Sequence, residues 1–164
     1  MRPDEDERAV LATADNTLLW AMRAWVLGLF REEVPVSTCL AAAFTRLGAP
    51  EAAGFLDGFM WALRCGALRT IGVNCPCYPQ VDPDERALLD VFALAGTGRS
   101  FEATLLLRGL VTPDAARAAL DSAGRLVAAM VRAGHALPAC ERPSLALFGL
   151  PLAAAGPRPA ATVH

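Results

Sequence analysis

The sequence predicts an all-α fold, a single-domain bundle of about six helices. Three observations predict it. The 164-residue chain is 54% hydrophobic with Ala and Leu dominant, a composition that favours helix. Aromatic residues make up only 7% and β-branched residues are sparse, which leaves little from which to build a large sheet. Helix-start signals and glycine stops recur along the whole length. A chain of this size can form one core without disulfide or metal staples.

Residues 1–13 read as a flexible acidic arm carrying Asp4-Glu5-Asp6-Glu7. The first helix is expected over 15–31, where Leu18, Met22, Trp25 and Leu29 recur at helical spacing. Trp20, Ala24 and Leu27 form a second apolar face, and only Arg23 interrupts the middle. A helix apolar nearly all round is buried centrally or used for association. Pro35 separates it from a second helix, 37–47, with Ser37 as N-cap and Gly48 as stop.

Pro50 opens a third helix running to about residue 65, with Phe55, Phe59, Ala62 and Gly66 on its inner face. Asp57, Trp61 and Arg64 share the other face, which exposes Trp61. Residues 66–79 are the main break, because Gly72, Asn74, Pro76 and Pro79 oppose helix. Asp82-Pro83-Asp84-Glu85 is the best start signal: a cap, a proline at the first position, and a glutamate placed to close a capping box. The fourth helix then runs to about 95, and Gly96 and Gly98 end it.

Ser100 is expected to cap a fifth helix ending near Gly109, and Thr112-Pro113-Asp114 opens a sixth. Leu120, Ala123, Val127 and Met130 make the apolar stripe of that last helix. Asp114, Arg117, Asp121 and Arg125 make its polar stripe, each ion pair worth about 0.2–0.5 kcal/mol. Gly134 stops it. The helical domain thus covers 14–137, and 138–164 is a Pro/Ala-rich tail, extended and packed in part by Leu145, Leu147, Phe148 and Leu150.

The punctuation also suggests two related three-helix halves, 14–77 and 78–140. At one constant offset Ser37 matches Ser100, Leu47 matches Leu110, and Cys77 matches Cys140. Pro50-Glu51-Ala52-Ala53 matches Pro113-Asp114-Ala115-Ala116 at the same offset.

Charge excludes some functions. The formal net charge is -2, and all 15 basic residues are Arg, as a GC-rich genome would encode. Without Lys there is no Schiff-base or P-loop lysine chemistry. The arginines are dispersed and not interleaved with aromatics, so nucleic acid is not an expected partner. The acidic N-terminus is no signal peptide, and no apolar stretch is long enough to span a bilayer, so a cytoplasmic location is expected. Five cysteines, an odd number without a secretion signal, argue for reduced thiols.

Cys75-Pro76-Cys77 is the sharpest chemical feature. Two thiolates one residue apart can chelate a soft metal such as Zn or Cu, or close a disulfide. Zinc sites usually space paired cysteines by two to four residues and take four ligands, so a site here needs Cys140, His135 or Cys65 as helpers. His135 is the one histidine before the C-terminal residue, and a place near a helix C-terminus accounts for it equally well. Cys39 and Cys65 fall on apolar helix faces and are expected in the core. Gly96-Thr97-Gly98 lacks the strand and third glycine of a dinucleotide loop.

The run from Cys75 to Leu89 resembles the middle of a small uncharacterised all-helical alphaproteobacterial family. There too a Cys-x-Cys loop and a proline precede an Asp-Pro-Asp-Glu helix start and a leucine pair. The resemblance implies a bacterial, helical, single-domain protein and no particular activity. The expected function is a non-catalytic helical interaction or accessory protein that self-associates, with Trp20, Trp25 and Trp61 as contact residues. The alternative is a thiol-based metal-binding or redox-responsive protein using Cys75 and Cys77.

Overall fold

Before residue 83 the chain turns sharply into a helix, and its own side chains make the turn. The Asp82 carboxylate accepts the Asp84 N–H at 2.8 Å, and Glu85 Oε2 accepts the Asp82 N–H at 2.8 Å. With Pro83 at the first position this is the expected capping box, and it satisfies donors that a helix start leaves open. The computed structural model describes residues 13–32 and 35–140. Among them six helices follow in order: α1 (Thr13–Phe30), α2 (Val36–Arg46), α3 (Ala52–Gly66), α4 (Pro83–Gly96), α5 (Ser100–Arg108) and α6 (Pro113–Arg132). No strand occurs among the described residues, only an isolated antiparallel bridge between Ala67 and Val111. The fold is all-α, and no described helix is long and apolar enough to cross a membrane.

The other starts differ in detail from expectation. Ser37 and Ser100 do not cap; Pro35 and Arg99 take the N-cap positions, and neither makes a side-chain cap bond. The stops hold: Gly48 and Gly134 adopt φ of 77° and 88°, the left-handed conformation that a side chain would resist. Residues 1–12 of the acidic arm and 141–164 of the tail, with its four packing residues, lie outside the described residues.

Helices α3 and α6 form the central antiparallel pair. Glu51 meets Arg132 at one end (3.1 Å), Gly58 faces Ser122 midway, and Gly66 abuts Thr112 and Ala115 at the other. Leu68 N–H donates to Leu110 O and Thr112 N–H donates to Gly66 O, both at 2.9 Å, tying the end of α3 to the start of α6. A Cβ placed on Gly66 would lie 2.1 Å from the Ala115 Cβ, so only glycine permits this approach. Helix α4 packs on α5 and α6, and α1 packs on α2, α3 and α4. Phe59 of α3 and Phe92 of α4 join the two halves of the core with ring centroids 4.6 Å apart.

Burial refines the expected faces. On α1, Leu18, Leu19, Met22 and Ala24 are buried, while Trp20 of the second apolar face is 38% exposed. The stripe ends before Leu29, which is 37% exposed. The inner face of α3 is Leu56, Phe59, Met60, Leu63 and Gly66, while Phe55 and Ala62 lie at its edge. Cys39 and Cys65 are exposed rather than core residues, because Leu40 and Phe44 turn inward on α2, and Leu63 and Gly66 on α3. The α6 polar stripe forms its pairs, Asp114–Arg117 at 3.1 Å and Asp121–Arg125 at 3.0 Å.

The α3–α6 contact makes a specific prediction. Gly66→Ala overpacks the crossing and lowers stability by about 1–3 kcal/mol. Adding Ala115→Gly removes the clash, so the double variant regains more stability than the two single effects allow. Urea denaturation of the four proteins of the cycle measures that coupling.

Candidate functional site

The break between α3 and α4 is not a loose connection. Its backbone groups are bound from beneath by two side chains of α4 and one of α1. Arg23, 1% exposed, forms a two-pronged pair with Glu85, which is 0% exposed. Arg23 Nε meets Glu85 Oε1 and Nη2 meets Oε2, each at 2.7 Å. The same guanidinium donates to the carbonyls of Tyr78 and Gln80, both at 2.6 Å. Glu85 also accepts the N–H of Asn74 at 3.0 Å and of Asp82 at 2.8 Å. The neighbouring Asp84 accepts two bonds from Arg69, at 2.8 and 2.6 Å, and the N–H of Gly72 at 2.8 Å. The hydrogen bonds to Arg69 hold the Asp84 carboxyl below the usual carboxylate range.

The anchored loop presents one tight turn outward. Tyr78 N–H donates to Cys75 O at 3.0 Å, closing a β-turn with Pro76 at its second position, where the ring fixes φ. The turn brings the Cys75 and Cys77 sulfurs to 3.3 Å, and both residues are exposed. The hydrogen bond with Cys77 lowers the Cys75 thiol from its ordinary value, and peptide N–H groups of the turn act in the same direction. An exposed thiol with a raised thiolate fraction is a nucleophile, and a second thiol in contact can resolve what it forms.

The four residues proposed as metal ligands do not come together. His135 and Cys140 follow α6, which spans 20 residues or about 30 Å. Because α3 and α6 are antiparallel, α6 ends beside the start of α3, while Cys75 and Cys77 follow the end of α3. His135 Nε2 bonds Leu47 O at 2.9 Å, beyond the end of α2; a carbonyl only accepts, so this nitrogen carries the proton. The Cys140 carbonyl accepts from Arg99 Nη1 at 2.6 Å. Among the described residues no three His, Cys, Asp or Glu side chains are grouped to hold a metal ion.

The tryptophans divide. Trp25 is 7% exposed, and its Nε1–H donates to Asp57 Oδ1 at 2.8 Å, so most of its ring is covered within the chain. Its ring meets Trp61 edge-on with centroids 5.5 Å apart. Trp61 is partly exposed, as expected, and the Arg64 guanidinium lies 5.1 Å from its ring centre. Trp20 lies apart from this pair, partly exposed, beside Ala43 and Arg46.

The Arg23–Glu85 and Arg69–Asp84 pairs are the residues that sequence reasoning missed. The signal was present: an arginine amid a buried apolar stripe requires a buried acid, since its charge cannot be left unpaired there.

Arg23→Leu leaves Glu85 buried without its partner and should cost about 3–5 kcal/mol, read by urea denaturation. Asp84 has a folded pKa below its ordinary value of 3.8, so its contribution is present above that value and lost as pH falls through the folded pKa. Wild type should therefore lose more stability than Asp84→Asn between about pH 5 and pH 2, measured by thermal melts across that range. No protein-family model, curated protein or solved structure matches this chain, so its function has to be argued from these residues.

Proposed function

We propose that this is a thiol-based redox-responsive protein whose working group is the Cys75–Cys77 pair. The observation that carries the reading is the 3.3 Å separation of two exposed sulfurs on a turn held from beneath by buried side chains. The lowered pKa of Cys75 supports it as the attacking thiol. The co-reactant is a small disulfide. The Cys75 thiolate attacks one sulfur of that disulfide, the S–S bond breaks, and one thiolate leaves. Cys77, deprotonated to solvent, then attacks the Cys75 sulfur and displaces the second thiolate. The protein loses two electrons and two protons, and the small disulfide becomes two thiols.

A metal-binding role for the same pair draws on the softness of two thiolates, with further ligands supplied from outside the chain. A second reading, a non-catalytic interaction or accessory protein, draws on the aromatic cleft beside Trp25 and Trp61.

Oxidised glutathione tests the proposal. Wild type should lose two of its five thiols without a lasting adduct, and peptide mapping should place the new bond at Cys75–Cys77. Cys77→Ser should instead retain a glutathione on Cys75, while Cys75→Ser should react much more slowly. Retention of all five thiols, or a bond elsewhere, would overturn the proposal.

A further inference from the structure

A second feature lies away from the cysteine turn. Between α1, α2 and α3 runs an open cleft with a cavity volume of about 580 Å³. That size falls within the range of about 300–1,000 Å³ typical of small-molecule sites. Trp25, Trp61 and Leu29 give it apolar and aromatic walls. Among the described residues its charged lining side chains are Glu32 and Asp57, both acidic, and none is basic. Asp57 is fixed at the cleft by the bond it accepts from Trp25 Nε1 at 2.8 Å. The Trp61 ring already takes a cation, since Arg64 stacks over it from the adjoining surface.

The lining of the cleft includes an exposed glycine that the fold does not require. Gly54 sits within α3, where glycine weakens a helix relative to alanine. A Cβ at that position meets nothing within 4 Å, so neither close packing nor a special backbone conformation calls for glycine. Its effect is to leave room in the cleft.

We infer that this cleft binds a small organic cation, an aromatic or aliphatic body bearing a protonated amine. The body lies against the tryptophans and Leu29, and the amine faces Glu32 and Asp57. The complementarity is one of sign: an apolar pocket whose described charged side chains are both acidic favours a cationic ligand over a neutral or anionic one of the same shape. The site is independent of the thiol chemistry proposed above.

Tryptophan fluorescence of the full chain, titrated with phenethylamine and 4-phenylbutylamine, tests it, with 4-phenylbutanol and 4-phenylbutyrate as neutral and anionic counterparts. At least one amine should give saturable quenching, and 4-phenylbutylamine should bind about tenfold tighter than the alcohol. Glu32→Gln should narrow that preference. Gly54→Leu, which adds a side chain to the lining where no neighbour stands, should abolish binding while leaving the unfolding midpoint unchanged or raised. No saturable quenching by any amine at about 5 mM would overturn the inference. So would equal affinity for amine, alcohol and carboxylate, or binding undiminished in Gly54→Leu. The Cys75→Ser/Cys77→Ser variant should bind the amines as wild type does, which separates this result from the thiol proposal.

Discussion

The Arg23–Glu85 pair is the constraint on which the rest of the structure depends. Two full charges lie out of water near the middle of α1 and the first turn of α4. Removing them from solvent is costly, and their attraction offsets that cost only if the remaining polar atoms are also satisfied. Here the loop supplies the missing partners: two carbonyls for the guanidinium and two amides for the carboxylate. Helix α1, helix α4 and the loop between α3 and α4 are therefore one polar unit set in an apolar core. None of the three has its present place without the others.

Much of this fold was legible in the sequence, and the parts that were not share a cause. The α4 capping box, the Gly48 and Gly134 stops and the α6 stripe are local devices, decided by residues within a turn of each other. The α3 face was misjudged by a fraction of a turn because its orientation is set by Gly66 meeting Ala115, a contact between distant segments. Glu85 was readable as a capping residue but not as the partner of Arg23, since both roles use the same side chain. The cysteine turn was visible as a motif. Its distance from His135 and Cys140 depends on α3 and α6 being antiparallel, which no local pattern encodes.

The two candidate sites differ in how they are built. The cysteine turn owes its shape to backbone groups fixed from beneath, so its thiols stand on a rigid base while remaining open to solvent. The cleft beside Trp25 is made by helix surfaces that fail to close, with Gly54 and the outward end of α1 leaving the gap. One site is made by satisfying buried polar groups and the other by leaving apolar surface uncovered.

Connecting segments usually tolerate insertion and deletion, because their backbone faces water and asks nothing of the core. The loop between α3 and α4 is different. Gly72, Asn74, Tyr78, Gln80 and Asp82 are each bonded at a fixed point to a side chain rooted in α1 or α4. Adding or removing one residue would shift these groups out of register and leave buried charges without partners. Related chains should then vary in length elsewhere, at the α1–α2 or α4–α5 connections, while this irregular stretch keeps a residue count as strict as that of a helix.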